Sequence, residues 1–155
     1  MKGLYIGALW MAFSLPILQA KDVKMSSPDG KYQFILSDDG GNLHYSLSWN
    51  SKEAIQPSLL GINANAVWRD HLSLGDLTIA EQDTVWHPVY GERSTIKERY
   101  KAWSVVINRQ GSRDKLVLDV RAYNEGIAFR YRFPGGQYLK ITDEFTEYTL
   151  PEGAK

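Results

Sequence analysis

The segment WHPVYGER gathers side chains that could recognise a sugar. It carries Trp86, His87, Tyr90, Glu92 and Arg93, and its Pro and Gly are typical of a loop between two strands. Aromatic rings stack on the apolar faces of sugars, and charged side chains can hydrogen-bond sugar hydroxyls. We therefore predict that Trp86, Tyr90, Glu92 and Arg93 bind carbohydrate. A purely structural role for the loop is the alternative that the sequence leaves open.

Paired carboxylates are the second candidate chemistry, because glycoside hydrolysis needs an acid and a base or nucleophile on either side of the bond. The segment TDEFTEY offers Asp143, Glu144 and Glu147. On a strand, Asp143 and Glu147 share one face and Glu144 lies on the other. Acidic residues on a solvated strand are common without any catalytic role. We expect no catalytic residue here.

Metal-binding and nucleophilic patterns are absent from the sequence. The three histidines, His44, His71 and His87, lack the spacing of a zinc site. Asp38 and Asp39 belong to a turn-like SDDGGN segment without the ligand spacing of a calcium loop. There is no Gly-x-Ser-x-Gly and no phosphate-binding glycine loop. We expect no metal site and no nucleophile in this chain.

The elements that must position these residues are strands, because the dominant period after residue 20 is two. NLHYSLSWN, KLVLDVRAY and IAFRYRF alternate apolar and polar residues, and turn signals such as PDG, DDGGN and RQGS separate such segments. This pattern predicts an all-β fold, either an antiparallel β-sandwich or a barrel of antiparallel strands. The pattern gives each of two strands one apolar face. In the first strand this face carries Leu116, Leu118, Val120 and Ala122, and in the second it carries Ile127, Phe129, Tyr131 and Phe133.

Four local features carry more specific expectations. Gly111 and Gly126 are expected in left-handed turn conformations. A short strand is expected to end before Pro57. Trp49 and Trp103 lie in alternating segments, so we expect them to pack in the core or on a sheet. The last strand is still running at Leu150, so we expect the sandwich to be incomplete in this chain.

The N-terminus predicts export. A positive start at Lys2, an uncharged apolar run from Leu4 to Leu18 and a small residue at Ala20 are typical of a signal peptide. Residues 1–20 are therefore predicted to be a signal peptide, with a retained membrane anchor as the alternative, and residues 21–155 to be the folded domain. Without residues 1–20 the chain keeps 17 basic and 18 acidic residues, a formal charge of −1. This balance favours neither nucleic acid nor membrane as a partner, and no cysteine is available for disulfides.

Five segments together resemble the N-terminal domain of glycoside hydrolase family 97. They are SPDGKYQFIL, PSLLGI, WHPVYGER, VRAYNEGIAFRYRFP and ITDEFTEYTL, in this order. The resemblance covers essentially the whole chain after residue 20. It implies a bacterial periplasmic α-glucosidase or α-galactosidase, and the sequence does not separate these two activities, nor retention from inversion.

The resemblance also implies where the chemistry resides. In that family a super-sandwich similar to galactose mutarotase precedes a (β/α)8 barrel, which carries the catalytic carboxylates and most calcium ligands. The N-terminal domain of the family lends one glutamate to the calcium site, and we place this glutamate beyond Lys155. We thus expect no cofactor in this chain, a barrel as its partner domain, an α-linked oligosaccharide as substrate of the full-length enzyme, and truncation before the barrel. The alternative is a free-standing periplasmic carbohydrate-binding module.

Overall fold

The structure, a computed structural model, describes residues 21–92, 94–136 and 138–154. In these residues all regular secondary structure is β-strand, which confirms the all-β prediction. The strands are β1 (Lys21–Ser26), β2 (Tyr32–Asp39), β3 (Asn42–Trp49), β4 (Lys52–Leu60), β5 (Ile62–Ala64), β6 (Ala66–Trp68), β7 (Leu72–Trp86), β8 (Ile96–Arg109), β9 (Lys115–Tyr123), β10 (Gly126–Arg132) and β11 (Ile141–Glu144). The described residues contain no helix that is long and apolar enough to span a membrane. The predicted signal peptide lies outside the described residues.

The strands form two antiparallel meanders and a small third sheet. The first sheet has the order β1–β2–β3–β4, the second β10–β9–β8–β7 and the third β11–β5–β6. Short turns connect most neighbours in the meanders, as the PDG and DDGGN signals predict, whereas a longer loop connects β7 to β8. Gly111, in the turn between β8 and β9, has a φ of 74°, so its predicted left-handed conformation is confirmed.

The core lies between the inner faces of the first and second sheets. Phe34 of β2 and Tyr45 of β3 stack at 5.5 Å, and both rings contact Phe129 of β10, at 6.1 and 5.5 Å. The alternation in the sequence predicts this packing correctly. Fully buried residues include Leu116, Leu118, Val120 and Ala122, and partly buried residues that pack on the core include Ile127, Phe129, Tyr131 and Phe133.

The two tryptophans expected to pack on the sheets differ in burial. Trp103 is buried in the core. Trp49 ends β3 and is 48% exposed, and its ring lies against Tyr32 of the paired strand at 6.5 Å. Trp103 therefore packs inside the core, whereas Trp49 only packs against a neighbouring ring at the end of its strand.

The expected end of a strand before Pro57 is wrong, because β4 continues to Leu60. The pairing of β3 with β4 shifts register at this point, where Tyr45 faces Ser58 and Leu47 faces Ile55. Pro57 therefore lies at an irregularity of the ladder. A proline is tolerated there because its missing N–H removes no regular ladder hydrogen bond.

The expected left-handed conformation of Gly126 is also wrong. Gly126 is the first residue of β10 and pairs directly with Tyr123, and its φ is not positive. The two-residue connection Asn124-Glu125 makes the turn by itself. Gly126 therefore has the backbone conformation of an ordinary strand residue.

The chain after β11 continues alongside β4 in extended form. Phe145 donates its backbone N–H to Gly61 O at 2.8 Å, and Glu147 donates to Leu59 O at 2.9 Å. Gln56 in turn donates to Thr149 O at 2.8 Å. The segment 145–149 therefore covers the outer edge of β4, close to the strand that the alternation through Leu150 predicts.

Candidate functional site

The structure distributes the predicted carbohydrate-binding residues over two places. Trp86 is the last residue of β7 and pairs with Ile96 of β8. Tyr90 and Glu92 lie in the following loop, where Tyr90 is 91% exposed and Glu92 is also exposed. Arg93 lies outside the described residues. Carbohydrate binding by these four residues stays a prediction, and Trp86 is the one that lies beside other potential ligand-binding groups.

Trp86 borders a groove at one end of the second sheet. The groove has a volume of about 430 Å³, and Tyr90 and Glu92 are not part of its lining. Residues directly opposite in antiparallel strands point to the same face. Trp86 and Ile96 thus share the face of the second sheet that points away from the core, here called the outer face. The residues that line the groove are Trp86, Ile96, Lys97, Glu98, Arg99, Tyr123, Asn124 and Glu125.

Strand register brings aromatic and charged side chains together along the outer face. Tyr100 of β8 lies opposite Tyr123 of β9, with ring centroids 5.1 Å apart and planes tilted by 51°. The Arg121 guanidinium lies 4.6 Å from the centre of the Tyr100 ring and 3.9 Å from a carboxylate oxygen of Glu98. Arg121 therefore combines a cation–π contact with an ion pair at this position.

A carboxylate network continues the outer face toward β10. Arg132 binds Asp119 with two hydrogen bonds, from Nε to Oδ2 at 2.8 Å and from Nη2 to Oδ1 at 2.9 Å. Ser104 donates to Oδ1 at 2.7 Å, and Arg130 donates from Nε to Oδ2 at 3.2 Å. These bonds, above all those from Arg132, lower the pKa of Asp119 from 3.8 to about 2, against the opposing effect of burial. Asp119 is therefore a carboxylate at neutral pH, poorly suited to deliver a proton.

A second groove lies beside Asp119. It has a volume of about 220 Å³, and its lining includes Arg121, Tyr123, Ala128 and Arg130. Tyr123 lines this groove as well as the groove at Trp86. The two grooves thus adjoin at one side chain.

The open side of the sandwich holds an aromatic cleft of about 440 Å³ between the two main sheets. Tyr45 donates its hydroxyl to the backbone oxygen of Glu147 at 2.7 Å, and the Tyr131 hydroxyl lies 2.9 Å from that of Thr146. Burial raises the pKa of both Tyr45 and Tyr131 to about 12. Both phenols stay protonated at neutral pH, and they hold segment 145–149 against the sandwich.

The acidic residues and histidines are not gathered into a reactive site. Asp143, Glu144 and Glu147 are exposed, and the Asp143 carboxylate accepts the backbone N–H of Glu144 at 2.9 Å. Within the described parts of the chain, no group of three or more His, Asp or Glu side chains could hold a metal ion. That the glutamate lent to the calcium site lies beyond Lys155 stays a prediction.

Sequence reasoning missed the Asp119 network and the Tyr100–Tyr123 pair. Alternation alone identifies Asp119, Arg121 and Tyr123 as outward residues of KLVLDVRAY. It does not identify their neighbours, because contacts across strands depend on a register that the periodicity of one strand does not define.

Comparison with known proteins adds independent information. Residues 25–155 match the model of a family described as "Glycosyl-hydrolase 97 N-terminal". A retaining alpha-galactosidase of Bacteroides thetaiotaomicron is 22% identical over 153 residues, which is 97% of this chain and 22% of that enzyme.

Solved structures agree with the sequence match. A family 97 glycoside hydrolase of Pseudoalteromonas sp. strain K8 in complex with acarbose superposes with a TM-score of 0.77 at 26% identity, over 84% of this chain and 20% of that one. A family 97 glycoside hydrolase variant of the same strain in complex with panose gives a TM-score of 0.76 at 26% identity. A beta-arabinopyranosidase gives 0.77 at 27% identity, over 85% and 22% of the two chains. This chain spans about a fifth of the length of these relatives.

Proposed function

The chain belongs to the glycosyl-hydrolase 97 N-terminal family, and from this membership we propose that it is the N-terminal β-sandwich part of an exported α-glycosidase. In this proposal the sandwich packs on a (β/α)8 barrel and helps to shape its active site, while the barrel supplies the catalytic carboxylates. The observation that carries the proposal is the match over residues 25–155, joined to TM-scores of 0.76 and 0.77 with family 97 enzymes.

Exposed apolar side chains support a role in packing against another domain. Ile79 and Val85 on β7 are 60% and 53% exposed, and Ile141 and Leu150 near the C-terminal end are 61% and 60% exposed. Apolar residues that remain exposed beside an unpaired strand edge are suited to be covered by a further domain.

The substrate class follows from the relatives. The enzymes of known structure were solved with panose and with acarbose, and the curated relative is an alpha-galactosidase. We propose an α-linked oligosaccharide as the substrate of the whole enzyme, with the periplasm as its compartment. The matches at 22% identity to the alpha-galactosidase and at 26% identity to the panose and acarbose complexes support this class of substrate without selecting glucose or galactose.

Reading the coding sequence downstream of the Lys155 codon tests this proposal. We expect a barrel-coding sequence, in frame or after a single frameshift. A terminator followed by unrelated sequence would remove the main support for an enzyme subunit. It would leave the alternative, a free-standing carbohydrate-binding module, for which the exposed rings of Trp86 and Tyr90 are the favouring observation.

A further inference from the structure

Two adjoining grooves that the family match does not explain border the outer face of the second sheet. The groove at Trp86 lies at the end of the sheet, because its lining also includes Lys97 and Arg99 of the opposite face. Tyr123 lines both grooves. Along β9, Asp119 and Tyr123 mark a length of roughly 13 Å, at about 3.3 Å per residue. Trp86 extends this surface at one end, and Arg130 limits it at the other. The combined surface is long enough for a short linear ligand rather than a single small ion.

Aromatic rings form the apolar part of this surface. The Tyr100 and Tyr123 rings lie 5.1 Å apart, both half-buried, and Trp86 is 47% exposed. Such rings offer flat apolar contact area with a polar edge, and they lose little conformational freedom on binding. This chemistry fits a ligand that has both apolar faces and hydroxyl groups.

Most charges on the outer face form ion pairs within the protein, with one positive charge in excess because Asp119 pairs with two arginines. Arg121 pairs with Glu98 at 3.9 Å, and Asp119 is bound by Arg130 and Arg132. A charged ligand would have to compete with these pairs. A neutral ligand rich in hydroxyls would find donors and acceptors fixed in place, because guanidinium and carboxylate groups hydrogen-bond hydroxyls without a change of charge.

We propose that the outer face of the second sheet, from Trp86 across Tyr123 to Arg130, binds a neutral oligosaccharide. Its sugar rings contact Trp86 and Tyr123, and its hydroxyls hydrogen-bond Glu98 and Arg121. This inference rests on the proposed function for the kind of sugar, an α-linked oligosaccharide. It assigns binding to the sheet face and not to the exposed loop that contains Tyr90 and Glu92.

Isothermal titration of the full chain with panose tests the site. Ala128→Phe is the main variant, because Ala128 is exposed and lines the groove beside Arg121 and Tyr123, so that a larger side chain fills the groove without entering the core. Tyr123→Ala removes the ring shared by both grooves, and Tyr123→Phe retains it. Tyr90→Ala tests the neighbouring loop that the sequence predicts to bind carbohydrate. Tyr138→Ala is the control, since it removes an exposed aromatic side chain away from both grooves.

We expect Ala128→Phe and Tyr123→Ala to weaken panose binding by about tenfold or more, and Tyr123→Phe and Tyr138→Ala to bind nearly as the unchanged chain does. Circular dichroism spectra and melting curves of each variant separate a lost contact from a lost fold. Absence of panose binding by the unchanged chain overturns the inference. So does equal affinity of the Ala128→Phe variant, or a loss confined to Tyr90→Ala. Each of these results leaves the proposed function standing, because that depends on the downstream coding sequence.

Discussion

Local contacts keep the Asp119 side chain ionised and hydrogen-bonded on the outer face of the second sheet. Its carboxylate is 16% exposed and accepts hydrogen bonds from Ser104, Arg130 and Arg132. Bonds of this kind stabilise the ionised form, so the pKa falls to about 2. The network joins three strands of the second sheet and is the strongest polar contact that the structure displays on its outer face.

Asp119→Asn is expected to lower the free energy of unfolding by about 1 to 3 kcal/mol at pH 7, the usual range for hydrogen bonds to charged groups. Because the folded pKa of Asp119 is depressed, its contribution is complete above the unfolded value near pH 4 and is lost as the pH falls toward 2. Urea denaturation at pH 7, 4, 3 and 2 should therefore find the two proteins converging below pH 4. Asp114→Asn is the control, because it removes a more exposed carboxylate 3.7 Å from Arg109. We expect it to change the free energy of unfolding little. A constant difference down to pH 2 would contradict the role of the Asp119 charge.

Gly61 and Gly126 form a matched pair for a second prediction at the residue scale. A Cβ at Gly61 would lie 2.9 Å from Trp68 O and 3.3 Å from the Phe145 Cβ, whereas a Cβ at Gly126 meets nothing within 4 Å. Gly61→Ala should therefore lower the melting temperature, because backbone must shift. Gly126→Ala should be neutral or raise stability by about 0.4 to 1 kcal/mol through the unfolded state. Thermal melts of both variants check this expectation, and equal effects would show that the space around Gly61 is not limiting.

At the element scale, individual strands are well predicted from the sequence, but the contacts between them are not. The alternation in KLVLDVRAY correctly predicts one buried face of β9, although Val117 on the opposite face is buried as well. The expectations for Pro57 and Gly126 are wrong for one reason. A residue type indicates which backbone conformations are possible at a position, but it does not indicate how the strand pairs there. The outer-face grooves depend on β7, β8, β9 and β10 together, so only Trp86, exposed at a strand end, is identified in advance.

Asn65 connects the third sheet to the segment before β11. It has a φ of 57°, donates from Nδ2 to Tyr138 O at 2.9 Å and accepts the Lys140 N–H at 2.8 Å. Asn65→Gly keeps the backbone conformation and loses both side-chain bonds. We expect the Lys140 amide to exchange with solvent about 2- to 10-fold faster in this variant.

Hydrogen exchange measured by NMR tests the Asn65 contacts directly. In Asn65→Ala the Lys140 amide should exchange at least as fast as in Asn65→Gly. This variant should also be less stable, since an alanine is strained at positive φ. Unchanged protection of Lys140 in both variants would show that other contacts hold this segment.

The stability of the sandwich is expected to depend on the central strand β9. Leu118 is fully buried between the sheets, whereas Leu150 is 60% exposed. Leu118→Ala should lower the free energy of unfolding by about 2 to 5 kcal/mol, from lost burial and the cavity that remains. Leu150→Ala should change it by less than about 0.5 kcal/mol. Similar losses in the two variants would argue against a core centred on β9.

At the scale of the whole molecule, the chain is a scaffold with a well-packed centre and exposed apolar margins. The core residues of the two main sheets are buried, yet Ile79, Val85, Ile141 and Leu150 remain exposed. The family was recognisable from the sequence because segments such as WHPVYGER and VRAYNEGIAFRYRFP retain their order. The catalytic residues are not recognisable in this sequence, since we propose that they belong to a barrel domain.

The most direct test of this account is to purify the native polypeptide from its source cells with an antibody against residues 21–155, and to measure its mass and its hydrolysis of α-glucosides and α-galactosides. We expect a polypeptide about five times as long as this chain, as in the relatives, that releases glucose or galactose. A polypeptide no longer than this chain, without a copurifying barrel domain and without hydrolysis of either substrate, would contradict it.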